Sequence, residues 1–341
     1  MDSLTQVALG SAVCVAIIGQ RAAAWRAVLW GAVAGTLPDL DALIDHGDAV
    51  LNMVLHRAES HSLFYLSVAA PVLAWIAANG HHFSRWWQAL WLVLITHPLL
   101  DTMTIYGTQL LQPFSNYPFG LGSMFIVDPA YTLPLIIGVL AAWRSKDKVR
   151  GLRWNSFGLA FSTLYLGWSL IGQHQVEQLA RTSLKELGVS AQRVLVTPAP
   201  LQTVLWRVVA IPDDPADPVY HEAYVSLWDG PRPLRWMHHA RGSDLLEEHA
   251  AAPHVERLSA FTHGFVKAAV SPEGQLRITD LRMGQEPDYV FSFDIGPLDA
   301  VGQAPATQIS SRPPIRPALS WIGKRMLGHD IPQPWYSLPR Q

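Results

Sequence analysis

"HRAESHSLFYLSVAAPVLAWIAA" (residues 56–78) joins a crowded polar junction to an apolar run. His56, Arg57, Glu59 and His61 stand within six positions, and no charged residue follows from Ser62 to Ala78. Charged and imidazole groups are costly beside lipid, so a chain that places them at the end of an apolar helix invites a functional explanation. The same apolar character recurs at Leu4–Gly19, Ala22–Leu37, Trp86–Leu100, Tyr131–Trp143 and Ser156–Gly172. Half of the 341 residues are hydrophobic, 14 are Trp and only 15% are charged, which points away from an ordinary soluble domain. Several runs fall short of the ~20 residues a bilayer core requires, so the spans extend into their flanks or include buried half-spans. The expected fold is a polytopic α-helical membrane domain of about six apolar helices over residues 1–175.

Sidedness follows from basic residues in short loops. One set of connections carries Arg21, Arg26, Arg85 and the cluster "RSKDKVRGLR" (144–153); the opposite set, 38–61 and 101–130, carries only Arg57. This places 144–153 in the cytoplasm and the polar junctions outside, in a cell inner membrane.

After about residue 175 the pattern changes. "GQHQVEQLARTSLKELG" continues the sixth helix in polar form and stops at Gly188. Short runs such as "TVLWRVVAI", "EAYVSLWDG" and "DYVFSFDIG" then read as strands, with "SPEG" (271–274) as a hairpin turn. Residues 176–302 are expected to form a β-rich α+β extracytoplasmic domain, and the Pro-rich 303–341 an irregular tail.

A net charge of −2 leaves no basic footprint for nucleic acid. The lone cysteine, Cys14, excludes an internal disulfide and a thiolate zinc site, so any metal must use His, Asp and Glu. Three segments offer them: "GTLPDLDALIDHGD" (35–48), "HRAESHS" (56–62) and "THPLLDTMTIYGT" (96–108). On the expected topology all three meet on one side, with Asp2. His97 and Asp101 are four apart and share a helical face. Asp39 and Asp41 follow Pro38, which favours an extended entry with both carboxylates free. His56 and His61 converge if the following helix starts near Ser60. Imidazoles and carboxylates without thiolates suit Zn²⁺, Mn²⁺ or Fe²⁺ and water activated for attack on an ester or phosphoester. Arg57 suits an anionic group, Glu59 a general base; Ser60 and Ser62 suit helix capping, since no G-x-S-x-G elbow surrounds them. Asp45, His46 and Asp48 read as a polar surface loop.

"MDSLTQVALGSAV", "GTLPDLD", "HRAESHSL" and "HPLLDTMTIYGTQLLQPFS" together resemble the YdjM family of membrane-bound, metal-dependent hydrolases over about residues 1–175. That family is in turn distantly similar to zinc-dependent phospholipase C and the S1/P1 nucleases. The resemblance implies one or two divalent ions, zinc first, held by Asp39, Asp41, His56, His61, His97 and Asp101. It also implies a phosphoester or lipid-type substrate at the outer membrane surface. Many relatives carry His where this chain has Gln6, and Asp2 is a candidate replacement. The expected partners are the bilayer, a lipid-linked substrate and a protein bound by the C-terminal domain. The rival readings are a transporter using the same ionisable residues as an ion path, and a non-catalytic scaffold with a structural metal.

Overall fold

The computed structural model describes all residues except 215, 216, 231 and 335–341. The chain divides into two units, one of residues 1–44 and 55–170, the other of residues 45–54 and 171–341.

The first unit contains α1 (Ser3–Ile18), α2 (Ala24–Thr36), a 3-10 turn (Pro38–Leu43), the end of α3 (Ala49–Leu55), a second 3-10 turn (Glu59–His61), α4 (Leu63–Ala78), α5 (Phe83–Asp101), α6 (Pro129–Arg144) and most of α7 (Lys148–Glu186). Asp2 caps α1 by accepting from Thr5 N at 3.1 Å, and Ser62 caps α4 by accepting from Tyr65 N at 3.3 Å. Helix α1 packs on α2, α5 and α6, while α4 lies on α5. The α1–α2 contact has no room for side chains. A Cβ at Gly31 would sit 2.4 Å from the Gly10 carbonyl oxygen, and one at Gly35 would sit 2.7 Å from that of Gln6. Gly31→Ala is therefore expected to push the two helices apart and cost about 1–3 kcal/mol, read as a lowered thermal midpoint.

The six apolar runs do become helices, but the expected six-span bundle is not what they build. Among the described residues no single helix is long and apolar enough to cross a membrane. Helices α1, α4 and α6 have 16 residues each. At 1.5 Å per residue each reaches about 24 Å, short of a ~30 Å hydrocarbon core. The 39-residue α7 has the length, but its second half is polar from Gln173 onward. Only Ala49–His61 with Leu63–Ala78 passes as a pair, and that pair is bent by 52°. With no span established, the basic-residue bias no longer assigns sides to the loops. Large apolar side chains nevertheless stand exposed on the helices, Trp75 at 73% and Leu164 at 74% among them.

The second unit is β-rich. Strands β1 (Arg193–Pro198), β2 (Leu205–Ile211), β3 (Val219–Ser226) and β4 (Met237–Ala240) form one antiparallel sheet in that order. Helices α8 (Ser243–Glu248) and α9 (Pro253–Phe261) follow. Strands β5 (Val266–Val270), β6 (Gln275–Asp280), β7 (Gly284–Gln285), β8 (Asp288–Tyr289), β9 (Ser292–Pro297) and β10 (Thr307–Ile309) supply a second sheet, ordered β10-β9-β6-β5, and a β7–β8 pair. "SPEG" is the β5–β6 turn, with Gly274 at φ +75°. Arg207 is buried and donates to Glu222 Oε1 at 2.5 Å and to the Leu281 carbonyl at 2.7 Å, which satisfies a charge that would otherwise be costly. The Pro-rich stretch from 303 is not wholly irregular. It contains β10 and α10 (Ile315–Met326), whose Pro317 lies in the first turn, where no N–H is missed; 335–341 lie outside the described residues.

Asp48, expected on a surface loop, is buried within the second unit. It accepts from His254 Nε2 at 2.8 Å and from Ala306 N at 2.7 Å.

Candidate metal centre

The 3-10 turn Pro38–Leu43 decides which aspartate reaches the centre. Pro38 starts a 3-10 turn instead of the expected extended entry, as its fixed φ suits a first helical position. In a strand, positions two apart share a face; at three residues per turn they do not. Asp39 therefore turns toward His61 and His97, while Asp41 turns toward His56 and Ser60.

His97 and Asp101 lie on the last turn of α5, both fully buried, as their spacing predicts. His61 ends the second 3-10 turn and is also fully buried. The preceding chain reverses at Arg57, whose φ of +66° is unusual for a residue with a side chain. Of the six expected ligands, four converge: Asp39, His61, His97 and Asp101 offer ligand atoms all within 4.8 Å of one another. Asp41 and His56 stand behind them, paired at 2.9 Å between Oδ1 and Nδ1.

The hydrogen bonds fix the protons. His97 Nδ1 faces the Gly35 carbonyl at 2.7 Å, and a carbonyl only accepts, so Nδ1 carries the hydrogen. Ser60 Oγ gives its single proton to Asp41 Oδ2 at 2.5 Å and must accept from His61 Nδ1 at 2.8 Å. Both imidazoles in their neutral form thus point the Nε2 lone pair inward, and these two nitrogens lie 3.2 Å apart. Asp39 Oδ1 stands 3.4 Å and 3.5 Å from them, Asp101 Oδ2 3.2 Å and 3.4 Å. Among the described residues, Asp101 Oδ2 is buried without a hydrogen-bond donor of good geometry. Four electron pairs facing one another in a buried space repel unless a cation lies between them. Five of the six separations among these atoms are 3.2–3.5 Å, the spacing of tetrahedral ligands ~2.0–2.1 Å from a shared centre, which is the bond length of zinc to nitrogen and oxygen. The residues fit a tetrahedral divalent ion.

The other Asp101 oxygen is held away from the centre. Oδ1 contacts the Met1 amine, accepts from Gln6 Nε2 at 3.1 Å and lies 3.5 Å from Arg57 Nη2. Gln6 is therefore a support for Asp101 and not a ligand, and Asp2 caps its helix. Arg57 is buried, its Nη1 reaches Thr104 Oγ1 at 3.4 Å, and its guanidinium lies 5.0 Å from the Tyr106 ring centre. Arg57 Nε is buried without a hydrogen-bond partner among the described residues. Glu59 is exposed on the turn that carries His61. The roles of Gly35, Ser60 and the Met1 amine were not expected; only the adjacency of Ser60 to His61 hinted at one of them.

Burial pushes the Asp101 pKa up, but the amine and Arg57 outweigh it and hold this carboxyl well below the usual range. Asp41 falls to about 2, since its bonds from His56 and Ser60 overcome burial. Burial alone would lower the His61 pKa; the Asp101 and Asp39 carboxylates reverse the sign and raise it. In metal-free protein these shifts set a window. The aspartate contributions are complete above the ordinary carboxylate pKa of about 3.9 and are lost as pH falls through the depressed values. The His61 contribution is complete below about 6.5 and is lost as pH rises through its raised value. Chelator-treated protein is expected to lose thermal stability as pH rises above about 6.5, and added zinc, which replaces the proton, should abolish that loss. Ser60→Ala removes the acceptor that fixes the His61 tautomer and should weaken zinc binding about 10–100-fold in a competition titration.

The chain matches the model of the YdjM inner membrane protein family over residues 1–176, a range that contains every residue of the metal centre. It is also 25% identical over 222 residues to the uncharacterized protein YfhP of Bacillus subtilis (strain 168), covering 61% of this chain and 64% of that one. The chain thus spans under two thirds of the length of that relative. No solved structure matches. The match over more than half of the chain makes this protein a member of the YdjM inner membrane protein family.

Proposed function

We propose that the protein is a membrane-associated, metal-dependent hydrolase of phosphoesters, with one divalent ion, zinc by preference, held by Asp39, His61, His97 and Asp101. The observation that carries this reading is the convergence of two imidazole lone pairs and two carboxylate oxygens in a buried space. Two nitrogens and two oxygens at this spacing suit zinc over the larger, oxygen-seeking ions. When bound, the ion would supply Lewis-acid polarisation; with four protein ligands a water would enter only at a fifth position, where its pKa would be brought toward neutrality.

The surrounding side chains take the remaining roles. Arg57 presents an unpartnered, buried Nε–H to an anionic oxygen, the recognition that a phosphate group needs. His56 would give its Nδ1 hydrogen to Asp41, which would leave the Nε2 lone pair free to act as a base. Glu59, on the neighbouring turn, is the second candidate base. Ser60 and Asp41 hold His61 in its ligating tautomer.

Turnover tests this reading. Detergent-purified protein loaded with zinc is expected to cleave bis(p-nitrophenyl) phosphate or phospholipid, to lose that activity on chelation and to regain it with zinc. A fully loaded protein that cleaves neither a phosphomonoester, a phosphodiester nor a phospholipid would sink the hydrolase reading and favour a scaffold with a structural metal.

A further inference from the structure

Residues 102–127 contain no Asp, Glu, Lys, Arg or His. This charge-free stretch follows directly on the ligand Asp101 and is tied to the segment that carries His61. Gln109 N donates to the Arg57 carbonyl at 2.9 Å, Leu63 N donates to the Leu110 carbonyl at 3.0 Å, and Ser62 Oγ donates to the Gln112 carbonyl at 2.5 Å. Its own bridge, Thr108 with Phe119, folds it back on itself. The stretch is thus pinned in place, yet its tip is apolar and bare: Phe114 is 78% exposed, and Leu111, Tyr117 and Leu121 are exposed with it. Phe64, at the start of α4, meets Phe114 edge to face at 5.6 Å. On the other ligand-bearing segment, Leu40 sits between Asp39 and Asp41 and is exposed, as is Leu43 at 83%.

Exposed large apolar side chains are ordinary when scattered singly. Here they flank one buried polar centre on both segments, and the longer segment has no charge to hold it in water. Aromatic residues pinned on a charge-free loop are the composition of a membrane interface, where an amphipathic ring sits at headgroup depth. Among the described residues no single helix is both long and apolar enough to cross a membrane, and the chain belongs to an inner membrane protein family, so exposed apolar faces such as this one are candidates for contact with lipid. Arg57, buried at the centre, complements an anionic headgroup.

We infer that the rim of the metal centre, residues 40–44 and 111–121, lies in the bilayer interface and that the site takes the phosphate headgroup of a membrane amphiphile from the lipid side. The substrate clause rests on the hydrolase reading above; the lipid contact does not.

The test is a depth measurement on the full chain. Cys14 is the only native cysteine and is fully buried, so a single introduced cysteine can be labelled cleanly. Phe114→Cys, Leu43→Cys and, as an aqueous control on the β5–β6 turn, Glu273→Cys are labelled with a nitrobenzoxadiazole dye in phosphatidylethanolamine–phosphatidylglycerol vesicles. Quenching by acyl-chain nitroxide lipids should place the labels at 114 and 43 roughly 5–10 Å below the phosphates, with iodide quenching well under that of the control. Labels at 114 and 43 quenched by iodide as strongly as at 273 would overturn the inference. Labels silent to both quenchers would overturn it equally, because the rim would then be covered by protein. Turnover of a soluble phosphodiester is read on the same samples: a dry rim without turnover refutes only the hydrolase reading, and turnover with a wet rim refutes only this one.

Discussion

His97→Ala is expected to abolish stoichiometric metal binding, with zinc affinity falling by well over the ~100-fold that loss of a supporting hydrogen bond produces. The imidazole supplies one of the four corners of the tetrahedron, and its Nδ1 bond to the Gly35 carbonyl leaves no freedom to replace it by a small shift. Alanine also leaves Asp101 Oδ2 facing His61 across an emptied, buried space. Activity should fall to the level of chelated wild type. The check is metal content per chain after gel filtration, beside a thermal melt to confirm that the variant folds. Retained metal at one ion per chain would remove His97 from the ligand set.

Arg57→Met is expected to leave metal content near one ion per chain and to lower kcat/KM toward a phosphodiester about 10²–10³-fold, the usual cost of losing a preorganised donor to developing charge. Methionine keeps the length of the side chain over the Tyr106 ring and removes the guanidinium. The variant pays for this in stability too, because Asp101 Oδ1 loses one of its cationic neighbours; the Met1 amine and Gln6 remain. A loss confined to metal content, with kcat/KM per bound ion unchanged, would make Arg57 a support for Asp101 and nothing more.

How far the sequence alone reached can be judged residue by residue. His97 and Asp101 are legible because a four-residue spacing on a helix has one geometric meaning. The PDxD pair is only half legible. Its reading depends on whether the backbone after Pro38 is extended or 3-10, and that choice sends Asp39 and Asp41 to the same side or to different ones. His56 and His61 were separable only through the left-handed turn at Arg57, a conformation that no residue type at that position announces. The contacts of Gly35 and Gln6 join segments distant in the chain, which local pattern cannot register. At the level of fold, hydrophobic runs located six helices correctly, but run length is not helix length with an apolar surface. Caps at Asp2 and Ser62 cut α1 and α4 at 16 residues, and buried small residues such as Gly31 and Ala70 count as apolar while facing protein. The strand pattern after 190 was more robust, since its turns are marked by glycine, as at Gly274.

Whether Asp39, His61, His97 and Asp101 together hold one metal ion is open to direct measurement. Inductively coupled plasma mass spectrometry on protein purified without added metal or chelator, quantified per chain by amino-acid analysis, tests it most directly. One zinc per chain is expected in the wild type and less than about a tenth of that in Asp101→Asn, whose amide is a poor ligand in place of the carboxylate. A well-folded wild type without stoichiometric divalent metal that also fails to take up added zinc would contradict it.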